Sequence, residues 1–140
     1  MKQQNLKNHT QIVYSYYLFT GVPILVLIGI AISKIFNTDS RELGLILLLI
    51  GWILLSMLFR SRGFALKAQD RAIKAEESLR HFVLTGKPID KRITLSQIIA
   101  LRFASDEEFP MLAQRAAEEG LSNKEIKRQI KVWRSDWHRV

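Results

Sequence analysis

The chain has 140 residues, 48 % of them hydrophobic, a formal net charge of +8 and no cysteine. That length holds one modest domain plus attachments, and the missing thiols exclude a disulfide framework and a thiolate metal site. The basic balance suits a nucleic acid or an anionic membrane surface, yet it is unevenly placed: residues 12–59 are neutral, residues 60–93 carry +5 and residues 94–140 only +1.

In chain order, residues 1–11 form a short basic segment with Lys2 and Lys7. Residues 12–33, IVYSYYLFTGVPILVLIGIAIS, then run for 22 positions without a charge. As a helix this covers roughly 33 Å, enough for a hydrocarbon core of about 30 Å. The run is also too long for the apolar core of a signal peptide, which spans about 7–15 residues. Pro23 lies near its middle and reads as a tolerated membrane proline rather than a hinge. A second uncharged run, residues 43–59, is LGLILLLIGWILLSMLF. Between them residues 34–42, KIFNTDSRE, supply a short polar turn, so an antiparallel transmembrane hairpin is expected. Lys34 and Arg41 in the turn are partly matched by acids, whereas Arg60, Arg62, Lys67, Arg71, Lys74 and Arg80 follow the second run. The positive-inside rule therefore places both termini in the cytoplasm, with Tyr14, Tyr16 and Tyr17 at the inner interface. Arg60, Arg62 and Lys67, at the membrane exit, are positioned to meet anionic headgroups.

The second run also carries a pattern that outlasts the membrane. Gly44, Leu47, Gly51, Leu54, Leu58, Ser61, Ala65, Ala68, Ala72, Ala75, Leu79 and Phe82 alternate by three and four, the a/d spacing of a left-handed helix pair. One helix is expected from about residue 43 to 84, with residues 60–85 extending into the cytoplasm and small residues permitting close approach. Its partner is either the first span or the same helix in another copy. Gly63 is the position at which such a helix would break, and Gly86 with Pro88 ends it.

After a linker, residues 86–93, the segment 94–140 reads as a small three-helix cytoplasmic domain. Thr94 with Gln97 forms one capping box and Ser122 with Glu125 another, with Ile93–Ile98 and Leu121–Ile126 as hydrophobic staples. LSQIIALRFA, residues 95–104, is the first helix, and Pro110 opens a second that Gly120 terminates. In the closing helix Ile126, Ile130, Trp133 and Trp137 are spaced by four, three and four, a packing stripe opposite the basic side chains. A segment this short is marginal alone and needs something to dock against.

Catalytic and transport constellations are not evident. His9, His81 and His138 stand apart, no HExxH, GxSxG, Walker or GxGxxG pattern occurs, and neither apolar run contains a charged residue or a histidine. The expectation is therefore no enzyme, no cofactor, no metal and no small-molecule substrate. A helix-turn-helix reading of AEEGLSNKEIKRQIKVW meets the acids Asp106, Glu107, Glu108, Glu118 and Glu119, which argue against nucleic acid as a partner.

The pieces QQNLKNH, FALKAQDRAIKAEESLR, LSQIIALRFASDEEFPMLAQRA and KEIKRQIKVWRSD, in this order over nearly the whole chain, resemble a bacterial family of short two-span membrane proteins catalogued as a domain of unknown function. The resemblance implies an integral protein of the bacterial inner membrane with a cytoplasmic helical tail, and it implies no catalytic residue. The expected protein is thus all-α. Its expected role is that of a non-enzymatic membrane scaffold or interaction protein, self-associating or an accessory subunit of a larger assembly. A pore formed between copies, lined by Ser15, Thr20, Ser33 and Ser56, is the alternative, and a membrane-tethered nucleic-acid binder the third.

Overall fold

The computed structural model describes Asn5, Leu6 and residues 13–136. Among these residues the secondary structure is helical, apart from one isolated bridge between Ala104 and Trp133. Residues 13–66 form one compact unit and residues 67–136 another.

In the first unit an apolar helix spans Tyr14–Ile35. It begins as one α-helical turn, passes through a π-helical turn at Tyr17–Gly21 and continues as α-helix over Val22–Ile35. Pro23 explains the widened turn. It has no N–H to donate, and in a straight helix its ring strikes the carbonyl four residues back. The π turn ends just before it and leaves Pro23 in the first turn of the following segment, where a missing N–H matters least. Asn37 then accepts from the Asp39 N–H at 3.1 Å and caps the short 3-10 turn Thr38–Ser40. The long helix Arg41–Thr85 follows. It runs unbroken through Gly63, where a Cβ would meet no atom within 4 Å and only propensity opposes the helix. Both helical stretches are long and apolar enough to cross a membrane.

The second unit is built from residues 67–85 of the long helix and three short helices, Leu95–Leu101, Phe109–Glu119 and Asn123–Gln129. Its core joins Ile73 of the long helix to Ile93, Ile98, Leu101, Phe103, Phe109, Leu112, Ala116, Ile126 and Ile130. Both expected capping boxes form, at Thr94 with Gln97 and at Ser122 with Glu125. Hydrogen bonds from Ser122, first its side chain and then its backbone N–H, hold the Glu125 carboxyl below its ordinary value of 4.5. Arg92 likewise lowers Asp90 to about 2, through its side chain and its backbone N–H. Both groups thus favour the fold above the ordinary carboxylate range, and that contribution is lost as pH falls through their lowered values. Gly120, at φ 66°, takes the left-handed position that ends Phe109–Glu119.

Two expected extents are corrected. The first short helix stops at Leu101 instead of Ala104, and the closing helix stops at Gln129 instead of running on through Trp133. The reason is long-range. Ile130 is extended, the Ser105 N–H donates to the Val132 carbonyl at 3.2 Å, and the Arg134 N–H donates to the Phe103 carbonyl at 2.8 Å. The Glu108 carboxylate also accepts from the Lys131 and Val132 N–H groups at 3.2 and 3.3 Å. Two short extended segments satisfy each other's backbone, and this replaces two further helical turns. Residues 67–85 of the long helix share a compact unit with residues 86–136.

Gly44 and Gly51 should tolerate substitution differently. A Cβ at Gly44 would lie 2.7 Å from the Ile35 backbone nitrogen and 2.9 Å from the Ala31 carbonyl oxygen, while at Gly51 it meets only the Ile28 side chain, at 2.7 Å. Gly44→Ala is expected to cost the helix pair about 1–3 kcal/mol and Gly51→Ala distinctly less, because a side chain yields more readily than backbone. Denaturation of the two variants in detergent micelles measures the order.

Gln97 gives a second test. It is buried, its Oε1 accepts from the Thr94 N–H at 2.7 Å, and its Nε2 donates to the carbonyls of Ala116 and Leu121 at 3.0 and 2.8 Å. Thr94→Ala should cost about 1 kcal/mol as a lost cap. Gln97→Glu should cost more, since it turns a carboxylate oxygen toward two buried carbonyls. Urea unfolding followed by tryptophan fluorescence compares them.

Candidate functional site

The small-residue seam divides into two parts. In the first unit it packs on the first apolar helix: Gly44 against Ala31 and Ile35, Gly51 against Ile28, and buried Leu58 within 3.9 Å of the Cβ position of Gly21. Pairing moves down one helix as it moves up the other, so the two are antiparallel. The Tyr16 hydroxyl closes the far end, donating to the Leu58 carbonyl at 2.7 Å and lying 2.8 Å from the Ser61 hydroxyl. The hydroxyls of Ser33 and Ser56 donate to the carbonyls of Ile30 and Ile53 on their own helices, at 2.8 Å each. Ala65 is half-buried.

Further along the same register, in the second unit, Ala68, Ala72, Ala75, Leu79 and Phe82 are exposed. Leu79 keeps 64 % and Phe82 52 % of its surface in contact with solvent. The face of the helix turned to its own unit is the opposite one, with Ile73, Glu77, Arg80 and His81. Sequence periodicity alone points to the outer stripe and misses the inner one, because the inner face is ionic.

That inner face carries a charged network. Glu77 is buried at 6 % exposure. Arg80 Nη1 donates to it at 2.9 Å, and Arg134 Nη1 lies 3.6 Å from its other oxygen. Arg80 also donates through Nε to Asp106 at 2.7 Å and through Nη2 to the Ala104 carbonyl at 2.8 Å, with its guanidinium 4.5 Å from the centre of the Phe109 ring. One arginine thereby ties the long helix to the turn after Leu101 and to the helix Phe109–Glu119. Beside the network lies a cavity of about 360 Å³ lined by Gln69, Ala72, Ile73, Glu76, Glu77, Arg102, Arg134, Ser135 and Asp136. Arg102 Nε approaches Asp136 at 3.4 Å and Arg102 stacks 4.7 Å from Phe103. In the lining Arg134 pairs with Glu77 and Arg102 with Asp136, and there is no thiol or imidazole. No cluster of three or more metal-ligating side chains occurs among the described residues.

Arg60 and Lys67 are exposed, and Arg62 places its guanidinium 5.6 Å from the centre of the Tyr17 ring. Ile126 and Ile130 are buried, and Trp133 is half-buried with its ring centre 5.2 Å from that of Phe103. Ile126 sits on the helix, but Ile130 and Trp133 reach the core from extended backbone, not along one helical stripe. Trp137 lies outside the described residues.

The chain belongs to a family of unknown function (DUF6526), whose match covers residues 1–140. Neither the curated proteins nor the solved structures contain a match to it.

The ionic network should be structural and therefore costly to break from one side. Glu77→Ala leaves Arg80 with one carboxylate fewer in a buried setting, and a loss of about 3–5 kcal/mol is expected in the stability of the tail. Asp106→Ala removes an exposed partner and should cost about 1 kcal/mol or less. Thermal denaturation of both variants checks the ranking.

Proposed function

We propose that this protein is a non-enzymatic integral membrane scaffold, inserted as a two-helix hairpin and assembling through its own copies or as an accessory subunit of a larger membrane complex. One observation carries the membrane part. The hairpin leaves Leu25, Leu49, Trp52, Met57 and Phe59 at least 60 % exposed, a continuous apolar surface that water does not support and lipid does. Its backbone is helical and its serine hydroxyls are turned to their own carbonyls, so the hydrocarbon would meet satisfied polar groups.

Charge supports the orientation. Arg60, Arg62, Lys67, Arg71 and Lys74 lie on one side of the hairpin, against Lys34 and Arg41 with their neighbouring acids on the other. Both termini are then cytoplasmic, in the inner membrane of a bacterium. The Arg62–Tyr17 contact fits an interfacial site, where an aromatic ring and a guanidinium both reach headgroups. A pore between copies draws less support, since Ser33 and Ser56 point their hydroxyls at their own helices.

The scaffold reading rests on exposed apolar surface in the tail, at Leu79, Phe82 and Val83, which a protein acting alone would not keep. After an alkaline wash the protein should stay in the membrane pellet. Native mass spectrometry of the full chain from mild detergent should then give an assembly above one copy, or one copy with a bound partner. A stable, partner-free monomer would overturn the reading.

A further inference from the structure

We propose that the outer stripe Ala68–Ala72–Ala75–Leu79–Phe82 pairs with the same stripe of a second copy as a parallel, in-register coiled coil. This rests on the assembly reading above and names its surface. Three observations carry it.

The stripe is apolar and exposed although the same helix segment already has a core. Leu79 and Phe82 expose 64 % and 52 % of their surface, while Ile73 and Glu77 on the opposite face are buried. The exposed stripe leaves room for a second helix, with Ala72 and Glu76 also edging the cavity beside Arg102 and Asp136. The stripe also continues the three–four alternation of Gly44, Gly51 and Leu58, the register in which this helix packs closely on its other neighbour.

Charge then selects both partner and direction. With Ala72 and Leu79 at a, and Ala68, Ala75 and Phe82 at d, the preceding g position holds Arg71 and the following e position holds Glu76. Both are exposed, and neither forms an ion pair among the described residues. In a parallel pair, g of one helix meets e of the other five residues on. Arg71 thus faces Glu76 of the second copy, and two-fold symmetry repeats the pair. An antiparallel pair joins g to g and e to e, so Arg71 would meet another Arg71 or Ser78 and never Glu76. Alanine at three of the five seam positions brings the helices close, and Leu79 with Phe82 supplies the larger apolar area. Anchoring in one membrane raises the effective concentration of such a short pair.

The chain contains no cysteine, so single cysteines report the interface directly. In proteoliposomes of the full chain, Ala72→Cys, Ala75→Cys and Leu79→Cys should form disulfide-linked dimers on mild oxidation. Lys74→Cys, off the seam, should form about tenfold fewer. Glu76→Arg in the Ala75→Cys background should lower the dimer yield about tenfold, and adding Arg71→Glu should restore it. All these positions are exposed, and an unchanged circular dichroism spectrum certifies the fold. Equal yields at Lys74→Cys and Ala75→Cys would overturn the proposal, as would no rescue by the charge swap. A label at Leu79→Cys quenched by lipid-borne quencher, without dimer, would give the stripe to the bilayer instead. Loss of the crosslinks while native mass spectrometry still shows an assembly would reject this surface and leave the scaffold reading standing. A monomer in both measurements would remove the two together.

Discussion

The contact on which the hairpin depends is the approach of Gly44 to Ala31 and Ile35, where any Cβ would fall within 3 Å of backbone atoms. For a hairpin inserted in lipid, as proposed, apolar burial gives no net drive between helices, because the lipid tails are as apolar as leucine. What remains is dispersion between closely packed backbones and the few polar groups that find partners. Gly44 and Gly51 supply the first. Tyr16 supplies the second, with a hydroxyl that reaches the Leu58 carbonyl and Ser61 at the opposite end of the pair. The π turn at Tyr17–Gly21 accommodates Pro23 just beyond Tyr16, so local backbone adjustment and long-range closure lie next to each other in the chain.

The tail meets the opposite problem. It has a small apolar core and many backbone groups left over by three short helices, each too short to be stable alone. Polar side chains do the joining. Gln97 caps its own helix and also occupies two carbonyls near the end of Phe109–Glu119. Glu108 takes up the two N–H groups released where the last helix stops. Arg80 binds Glu77, Asp106 and the Ala104 carbonyl in one fork. Each of these groups would be costly if buried unpaired, and together they specify which helix end meets which loop.

This difference explains what can be read in the sequence. The apolar runs, the polar turn and both capping boxes are legible, because each is decided within a short stretch by hydropathy or by a cap. The extent of the last helix is not. Nothing between Gln129 and Trp133 breaks a helix locally, and the stop is imposed by residues 103–108 from elsewhere in the chain. Trp133 does pack, but the helical spacing that points to it is not one the backbone follows; it reaches Phe103 across an extended bridge. Glu77 gives no signal at all, since a glutamate on a charged helix reads as solvated until Arg80 and Arg134 are seen around it.

The long helix is where these two regimes meet in one element, and its faces show how the sequence divides the work. At Gly44, Gly51, Leu58 and Ser61 the three–four seam meets the first helix. Within the second unit Ile73, Glu77 and Arg80 face its interior, and Ala68, Ala72, Ala75, Leu79 and Phe82 are exposed. Solubility alone would favour charged residues at those outward positions, as it does at Lys74 and Glu76 between them. Alanine, leucine and phenylalanine stand there instead, flanked by one arginine and one glutamate at the spacing that a parallel copy would match. A pattern that selection for a lone soluble tail would erode is the pattern expected of a surface that is covered when the protein is at work.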